Sequence, residues 1–275
     1  MFFLFRKKIR LVCFDMDNTL YDFNTPEAEA EVYMSKVILK DIHSLMKQPQ
    51  KSGRSRTKKS KPNSSSLISE ITLLRVYNDV KKLHVHHEVE PQKFSRELWY
   101  KEALERLDSE TSLGISINSL MQKCSEYEKK YWDYLSTRLT VSKEALNTLE
   151  DLRAKGLKIA SITDSDGKPE IKIGRIKSLG LDKYFDYIIT TDDTGKNKPA
   201  VENWQYLLKI SGLKPQECLM VGDHPEVDLA AAKRCGLITS WTKQYVNTDL
   251  HWDYVNYEIH SISEIVDIVK KYNKI

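Results

Sequence analysis

The sequence predicts an α/β protein: a doubly wound, Rossmann-like parallel sheet with an all-helical domain inserted into it. Three observations carry that expectation. From residue 142 onward, short apolar runs of strand length alternate with helical patterns. One strand, RLVCF at 10–14, stands far ahead of the others, before a long stretch that shows helical spacing only. Both RLVCF and the later CLMVG at 218–222 run straight into aspartates. Strands alternating with helices give a parallel sheet covered on both faces. The expected α/β core is therefore 1–23 plus 140–275, with the helical insertion, a cap, at 24–139.

In chain order, RLVCF is the first strand. Thr25-Pro26 then reads as an N-cap followed by a proline at the first helical position, with Met34, Ile38, Ile42 and Leu45 on one face. Residues 51–66 (KSGRSRTKKSKPNSSS) have no apolar periodicity and are expected to be a flexible loop. Helical spacing resumes with Leu67, Ile71, Leu74 and Asn78, and again after Pro91 with Phe94, Leu98 and Trp99. Leu120, Cys124, Tyr127, Tyr131 and Leu135 form a long stripe, and the series Tyr127, Tyr131 and Tyr134 reads as core packing. Ser142 caps a helix with Ala145, Leu146, Leu149 and Leu152 inward, and Gly156 stops it. LKIASIT (157–163) is a buried strand; Pro169 opens a helix with Ile173, Ile176 and Leu179 on its face. YFDYIITT (184–191), the helix AVENWQYLLKISG, the strand CLMVG, the helix EVDLAAAKRCG and the strand LITSWT complete the alternation. Ser261 and Glu264 have capping-box spacing ahead of a last helix.

Composition narrows the class further. The chain has 275 residues, 40% hydrophobic and 30% charged, which excludes wholesale disorder and collagen-like repeats. No apolar run approaches the roughly 18 residues of a membrane span. The opening MFFLFRKKIR places its apolar block ahead of its basic residues and is too short for a signal-peptide core, so a cytoplasmic protein is expected. Cys13, Cys124, Cys218 and Cys235 show no CxxC spacing, which fits reduced thiols and no structural zinc. Cys13, inside a buried strand, reads as packing. The net charge is +4, yet residues 51–66 alone hold six basic and no acidic residues, leaving the remainder slightly acidic. Nucleic acid is therefore not the expected partner of the folded body. The cluster His84, His86, His87 has no carboxylate or cysteine at ligand spacing and reads as a solvated loop or helix end.

The chemistry concentrates at strand ends. RLVCF ends in Asp15-Met16-Asp17, and CLMVG runs into Asp223, with Asp228 five residues later. Parallel strands deliver these carboxylates to the carboxyl edge of the sheet, where open α/β folds bind ligands. Such mutually repelling carboxylates are tolerated around a divalent cation, and hard oxygen donors suit Mg²⁺. The strand LKIASIT ends in a hydroxyl, Thr163, and Lys198 lies in the turn GKNKP before a helix. Carboxylates, a metal, a hydroxyl and an ammonium are the parts that hold and neutralise a phosphoryl group.

In these motifs the sequence resembles the haloacid dehalogenase superfamily of phosphohydrolases, in the branch whose helical cap follows the first motif. FDMDNTLYD, the strand ending at Thr163, Lys198 before Pro199, and VGDHPEVD occur in the family's order, across about residues 10 to 236. The resemblance implies Asp15 as a nucleophile that forms an aspartyl-phosphate, and Asp17 as the acid that protonates the leaving oxygen and then activates water. It implies that Thr163, Asp164 and Lys198 bind the phosphoryl oxygens. It also implies Mg²⁺ held by Asp15, the backbone carbonyl of Asp17, and Asp223, with Asp228 supporting or acting through water. An acid at position 17 favours phosphate esters over carbon–halogen bonds, because a halide leaves without a proton. Asp164 stands where asparagine is frequent in the family, and His224 where serine is frequent.

The expected function is Mg²⁺-dependent hydrolysis of a phosphate monoester on a small phosphorylated metabolite, with the cap closing over the site to exclude water. The runner-up within the fold is phosphoryl transfer, as in a mutase. From another class comes a polyanion-binding protein that uses the basic insertion.

Overall fold

Among the described residues, six strands form one sheet in the computed structural model, in the order β3-β2-β1-β4-β5-β6, with every neighbouring pair parallel. The structure describes residues 8–47, 68–85, 90–246, 248 and 250–274. The basic 51–66 stretch, Leu67, His86 and His87 lie outside them. The strands are β1 (Leu11–Phe14), β2 (Lys158–Thr163), β3 (Tyr187–Thr190), β4 (Cys218–Gly222), β5 (Ile238–Thr242) and β6 (Tyr257–Ile259). This is the strand order of the Rossmann fold, whose switch point lies between β1 and β4. Every residue of β1 and β4 is buried, which is why both read as continuous apolar runs. The sixth strand went unread in the sequence. It has three residues at the sheet edge, too few to show a period.

The helices are α1 (Asn24–Met46), α2 (Glu70–His84), α3 (Arg96–Thr111), α4 (Asn118–Met121), α5 (Cys124–Ser136), α6 (Lys143–Ala154), α7 (Pro169–Ser178), α8 (Glu202–Ser211), α9 (Ala230–Arg234) and α10 (Glu264–Asn273). The ends of α6 and the start of α10 follow the sequence signals. Helix α1 instead begins at Asn24, so that Thr25, the expected N-cap, lies inside it with its N–H donating to Asp22 Oδ1 at 3.2 Å. Ser142 Oγ accepts from the Ala145 N–H at 3.1 Å and caps α6, while Gly156 ends it at φ +77°. Glu264 accepts from the Ser261 N–H at 2.9 Å, which is half of the expected capping box.

The chain divides into two compact units, one of residues 1–27, 84–95 and 135–275, the other of 28–83 and 96–134. Residues 90–95, inside the expected insertion at 24–139, group with the sheet unit. The physical reason is a close backbone approach: a Cβ on Gly167 would stand 2.4 Å from the Ser95 Cα, so glycine is required there, at φ +91°.

The sheet unit packs Leu11, Cys13, Ile162, Trp204, Met220 and Trp241 into one core. In the helical unit, Met34, Ile38 and Ile42 of α1 are buried, as are Leu120, Cys124, Tyr127, Tyr131 and Leu135. Tyr134 instead stacks on Tyr33, with centroids 4.3 Å apart. On α2 the expected face is rotated: Leu73, Val76, Tyr77 and Val80 are buried, while Ile71 is 79% exposed. His84, expected to be solvated, is buried at the end of α2. The four cysteines are free.

Candidate active site

The ladder between β1 and β4 continues past the strands: the Asp15 N–H donates to the Val221 carbonyl at 2.9 Å. That bond fixes the Asp15 backbone at the carboxyl edge, beside the switch point. Thr19 Oγ1 donates to Asp15 Oδ2 at 3.0 Å. Between these residues Asn18 takes a left-handed conformation, φ +58°, which Asn tolerates better than most residues. Its Oδ1 accepts from the N–H groups of Phe23 and Asn24, at 3.0 and 3.1 Å, and so ties the loop after β1 to the start of α1.

From β4 come Gly222, Asp223 and Asp228. A π-helical turn, Pro225–Leu229, folds Asp228 back over the strand end. A Cβ on Gly222 would lie 2.5 Å from Asp228 Oδ2, so the missing side chain is what admits this carboxylate. The His224 N–H donates to the same oxygen at 3.2 Å, and Trp241 Nε1–H holds the Asp223 carbonyl at 2.9 Å. Asp15, Asp223 and Asp228 thus converge, each offering an oxygen within 4.8 Å of the others.

A buried ammonium faces this cluster. Lys198 Nζ donates to Asp15 Oδ1 and to Asp228 Oδ1, both at 2.7 Å, and its N–H donates to Asp164 Oδ1 at 2.9 Å. Burial, reinforced by Asp228 and Asp17 against the pull of Lys198, pushes the Asp15 carboxyl up to about 6. Burial together with Asp15 and Asp228 also pushes Asp223 up, and burial raises Asp228. Lys198 is held above the usual lysine range, since its carboxylates outweigh the burial that opposes its charge. One ammonium among several carboxylates leaves excess negative charge in a water-poor pocket. The donor set therefore fits a hard divalent cation.

Asp17 is turned to different partners. Arg175 Nη2 donates to Asp17 Oδ2 at 2.9 Å while Nη1 donates to Oδ1; Lys172 Nζ reaches Oδ2 at 3.1 Å and the Tyr21 hydroxyl donates to Oδ1 at 2.6 Å. On its other side Arg175 holds Asp166, at 3.0 and 3.1 Å. Against the opposing effect of burial, Arg175 and Lys172 keep the Asp17 carboxyl well below the usual carboxylate range.

The structure thus brings Asp15, Asp164, Lys198 and Asp228 into direct contact and sets Asp223 beside them. Thr163 ends β2 at the same carboxyl edge, buried and in register with Thr190 of β3. Asp228 stands within the carboxylate cluster, where the Gly222 backbone admits it. One expectation needs correcting. The inward face of α7 is not simply apolar: Lys172 and Arg175 are buried beside Ile176, their side chains each 2% exposed. Sequence reasoning missed these two, along with Tyr21 and Asp166. The available signal was a Lys and an Arg one turn apart, in phase with the buried Ile176.

Residues 9–236 match the haloacid dehalogenase-like hydrolase family, and the chain belongs to it. Among curated relatives, it is 38% identical over 130 residues to a protein named glyceraldehyde 3-phosphate phosphatase of Methanocaldococcus jannaschii, covering 47% of this chain and 56% of that protein. It is 33% identical over 109 residues to a ribulose-1,5-bisphosphate 5-phosphatase of Halopiger xanaduensis, covering 40% and 45%. The matched region spans about half the length of these relatives. A HAD phosphatase of Thermococcus onnurineus shares the fold, with a TM-score of 0.66 at 20% identity over 95% of this chain and 98% of that one. No described helix is long and apolar enough to cross a membrane.

Proposed function

We propose that this chain is a Mg²⁺-dependent phosphatase that hydrolyses a phosphate monoester of a small metabolite through an aspartyl-phosphate on Asp15. The observation that carries this reading is the convergence of Asp15, Asp223 and Asp228, with Lys198 Nζ 2.7 Å from two of them. Asp15, Asp223 and Asp228, together with the Asp17 backbone carbonyl, would hold the cation, which when bound neutralises phosphoryl oxygens and the clustered carboxylates.

Asp15 attacks phosphorus, forming the acyl–phosphate bond as the ester oxygen departs with the bonding electrons. The dianion brought by the substrate favours proton uptake by Asp17, and that proton goes to the departing oxygen. In the second half, ionised Asp17 takes a proton from the water that attacks phosphorus, which releases inorganic phosphate and restores Asp15. Arg175 and Lys172 favour the ionised form that this half requires. Thr163 and Asp164 position the phosphoryl oxygens, and the Lys198 ammonium offsets their charge. The relatives named for glyceraldehyde 3-phosphate and ribulose bisphosphate support a short phosphorylated sugar as substrate.

A panel of phosphorylated sugars, nucleotides and p-nitrophenyl phosphate, assayed with Mg²⁺ and with EDTA, tests the reading. Phosphate release that EDTA abolishes and Mg²⁺ restores is expected. Absence of release across the panel would refute it.

A further inference from the structure

The C-terminal half of α1 carries cations that serve no role in its own unit. Lys36, Lys40, His43 and Lys47 line one shallow groove, at intervals of four, three and four residues. That spacing sets about one basic side chain on each 5.4 Å turn. Among the described residues none of the three lysines has a carboxylate partner. Elsewhere in the same unit Lys81, Lys101, Lys123, Lys129 and Lys130 each sit on one, at 2.5 to 3.0 Å. Asp41, the acidic residue nearest in sequence to the stripe, is occupied by Lys123 at 3.0 Å and the Tyr127 hydroxyl at 2.8 Å. The helix dipole accounts for a cation at Lys47, just past the last turn of α1, but not for Lys36 about three turns earlier. His43 Nε2 is buried with no hydrogen-bond partner, an arrangement that costs stability until a partner arrives.

We propose that this face of α1 docks the phosphate backbone of a nucleic acid. A linear row of three lysines, without carboxylate partners among the described residues, matches a strand of regularly spaced charges. A lipid surface fits less well. An interfacial helix needs its apolar side free, and Met34, Ile38 and Ile42 of α1 are buried within their own unit. In sequence, six further basic residues follow the stripe at 51–66, with no acidic residue among them. The stripe is placed on α1 itself, independent of that segment and of catalysis.

The test is fluorescence anisotropy of a labelled RNA oligonucleotide with the full chain, across a salt series. Lys36→Glu, Lys40→Glu and Lys47→Glu together should weaken binding at least about tenfold. They should also flatten the log–log salt dependence by about two to three, since each phosphate contact contributes roughly 0.7–0.9. A control with the same change in net charge, Lys155→Glu, Lys177→Glu and Lys209→Glu, should weaken it less than about threefold. In a chain whose 51–66 segment is replaced by a Gly-Ser linker, the stripe substitutions should still weaken binding about tenfold. Unchanged phosphate-ester hydrolysis in the stripe variant shows that it is folded. Equal losses in stripe and control variants overturn the proposal, as does absence of RNA binding by the unaltered chain. Loss of all stripe dependence in the linker chain, or tighter binding to phosphatidylserine vesicles or polyglutamate than to RNA, also overturns it.

Discussion

The guanidinium of Arg175 grips Asp17 by both oxygens, with Nη2 to Oδ2 at 2.9 Å, and holds Asp166 from its other side at 3.0 Å. An arginine with a 2% exposed side chain is tolerable only because two carboxylates compensate it. Asp17, the proposed proton-transfer group, is thereby locked in position by Arg175 and Lys172 of α7, a helix that contributes no carboxylate to the cluster of Asp15, Asp223 and Asp228.

Arg175→Met should destabilise the chain by about 3 kcal/mol, because it removes one of the two buried cations that Asp17 and Asp166 share and leaves only Lys172 between them. The sign with pH follows from the depressed Asp17 carboxyl. Its contribution is present above the unfolded value near 4 and is lost only as pH falls through the lower folded value. Urea unfolding should therefore show the mutational loss in full at pH 7 and a smaller difference near pH 3.

Metal-free protein should lose stability as pH rises from about 4 through 6. Asp15, Asp223 and Asp228 are all pushed above their unfolded values, so the folded state binds more protons across that window. The proposed Mg²⁺ would bind their ionised forms. Its stabilisation in a thermal-shift assay should be larger at pH 7 than at pH 5, and larger still than in Asp223→Ala at either pH.

Gly222→Ala should damage the site through a single methyl group. Its Cβ would fall 2.5 Å from Asp228 Oδ2, in a strand end with no room to yield. Overpacking of this kind costs about 1–3 kcal/mol. The displaced carboxylate should also raise the Mg²⁺ concentration needed for half-maximal turnover. Wild-type metal dependence in this variant would mean that Asp228 does not serve the cation.

Asp17→Asn should slow hydrolysis of alkyl phosphates more than that of p-nitrophenyl phosphate, whose leaving group needs less protonation. Steady-state rates on both substrates measure the difference. Equal losses would count against Asp17 as the leaving-group acid.

The sheet and its acidic edge were legible because each depends on local pattern. RLVCF and CLMVG are unbroken apolar runs ending in aspartate, and parallel strands then have one place to deliver them. Ser142 and Gly156 punctuate α6 as their chemistry dictates. Lys172 and Arg175 were illegible because a cation on a helix normally marks the solvent side. Only the three-dimensional approach of Asp17 and Asp166 turns that rule over. The rotated face of α2 has a related cause: Ile71 and Leu74 mimic an inward stripe that Leu73, Val76 and Tyr77 supply instead. Sequence spacing placed Asp228 near the acidic edge but did not show the empty space above Gly222 that lets its carboxylate in.

The central claim is that Asp15 attacks phosphorus. Mixing the enzyme with Mg²⁺ and a radiolabelled phosphate ester, quenching in acid within one turnover and mapping the label by peptide mass spectrometry tests it most directly. The account predicts an acid-stable, alkali-labile phosphoryl group on the peptide carrying Asp15. It further predicts no label in Asp15→Asn, whose turnover falls at least roughly a thousandfold, about 4 kcal/mol of transition-state stabilisation. Turnover without label in the wild type, together with an Asp15→Asn variant that remains near normal, would contradict it.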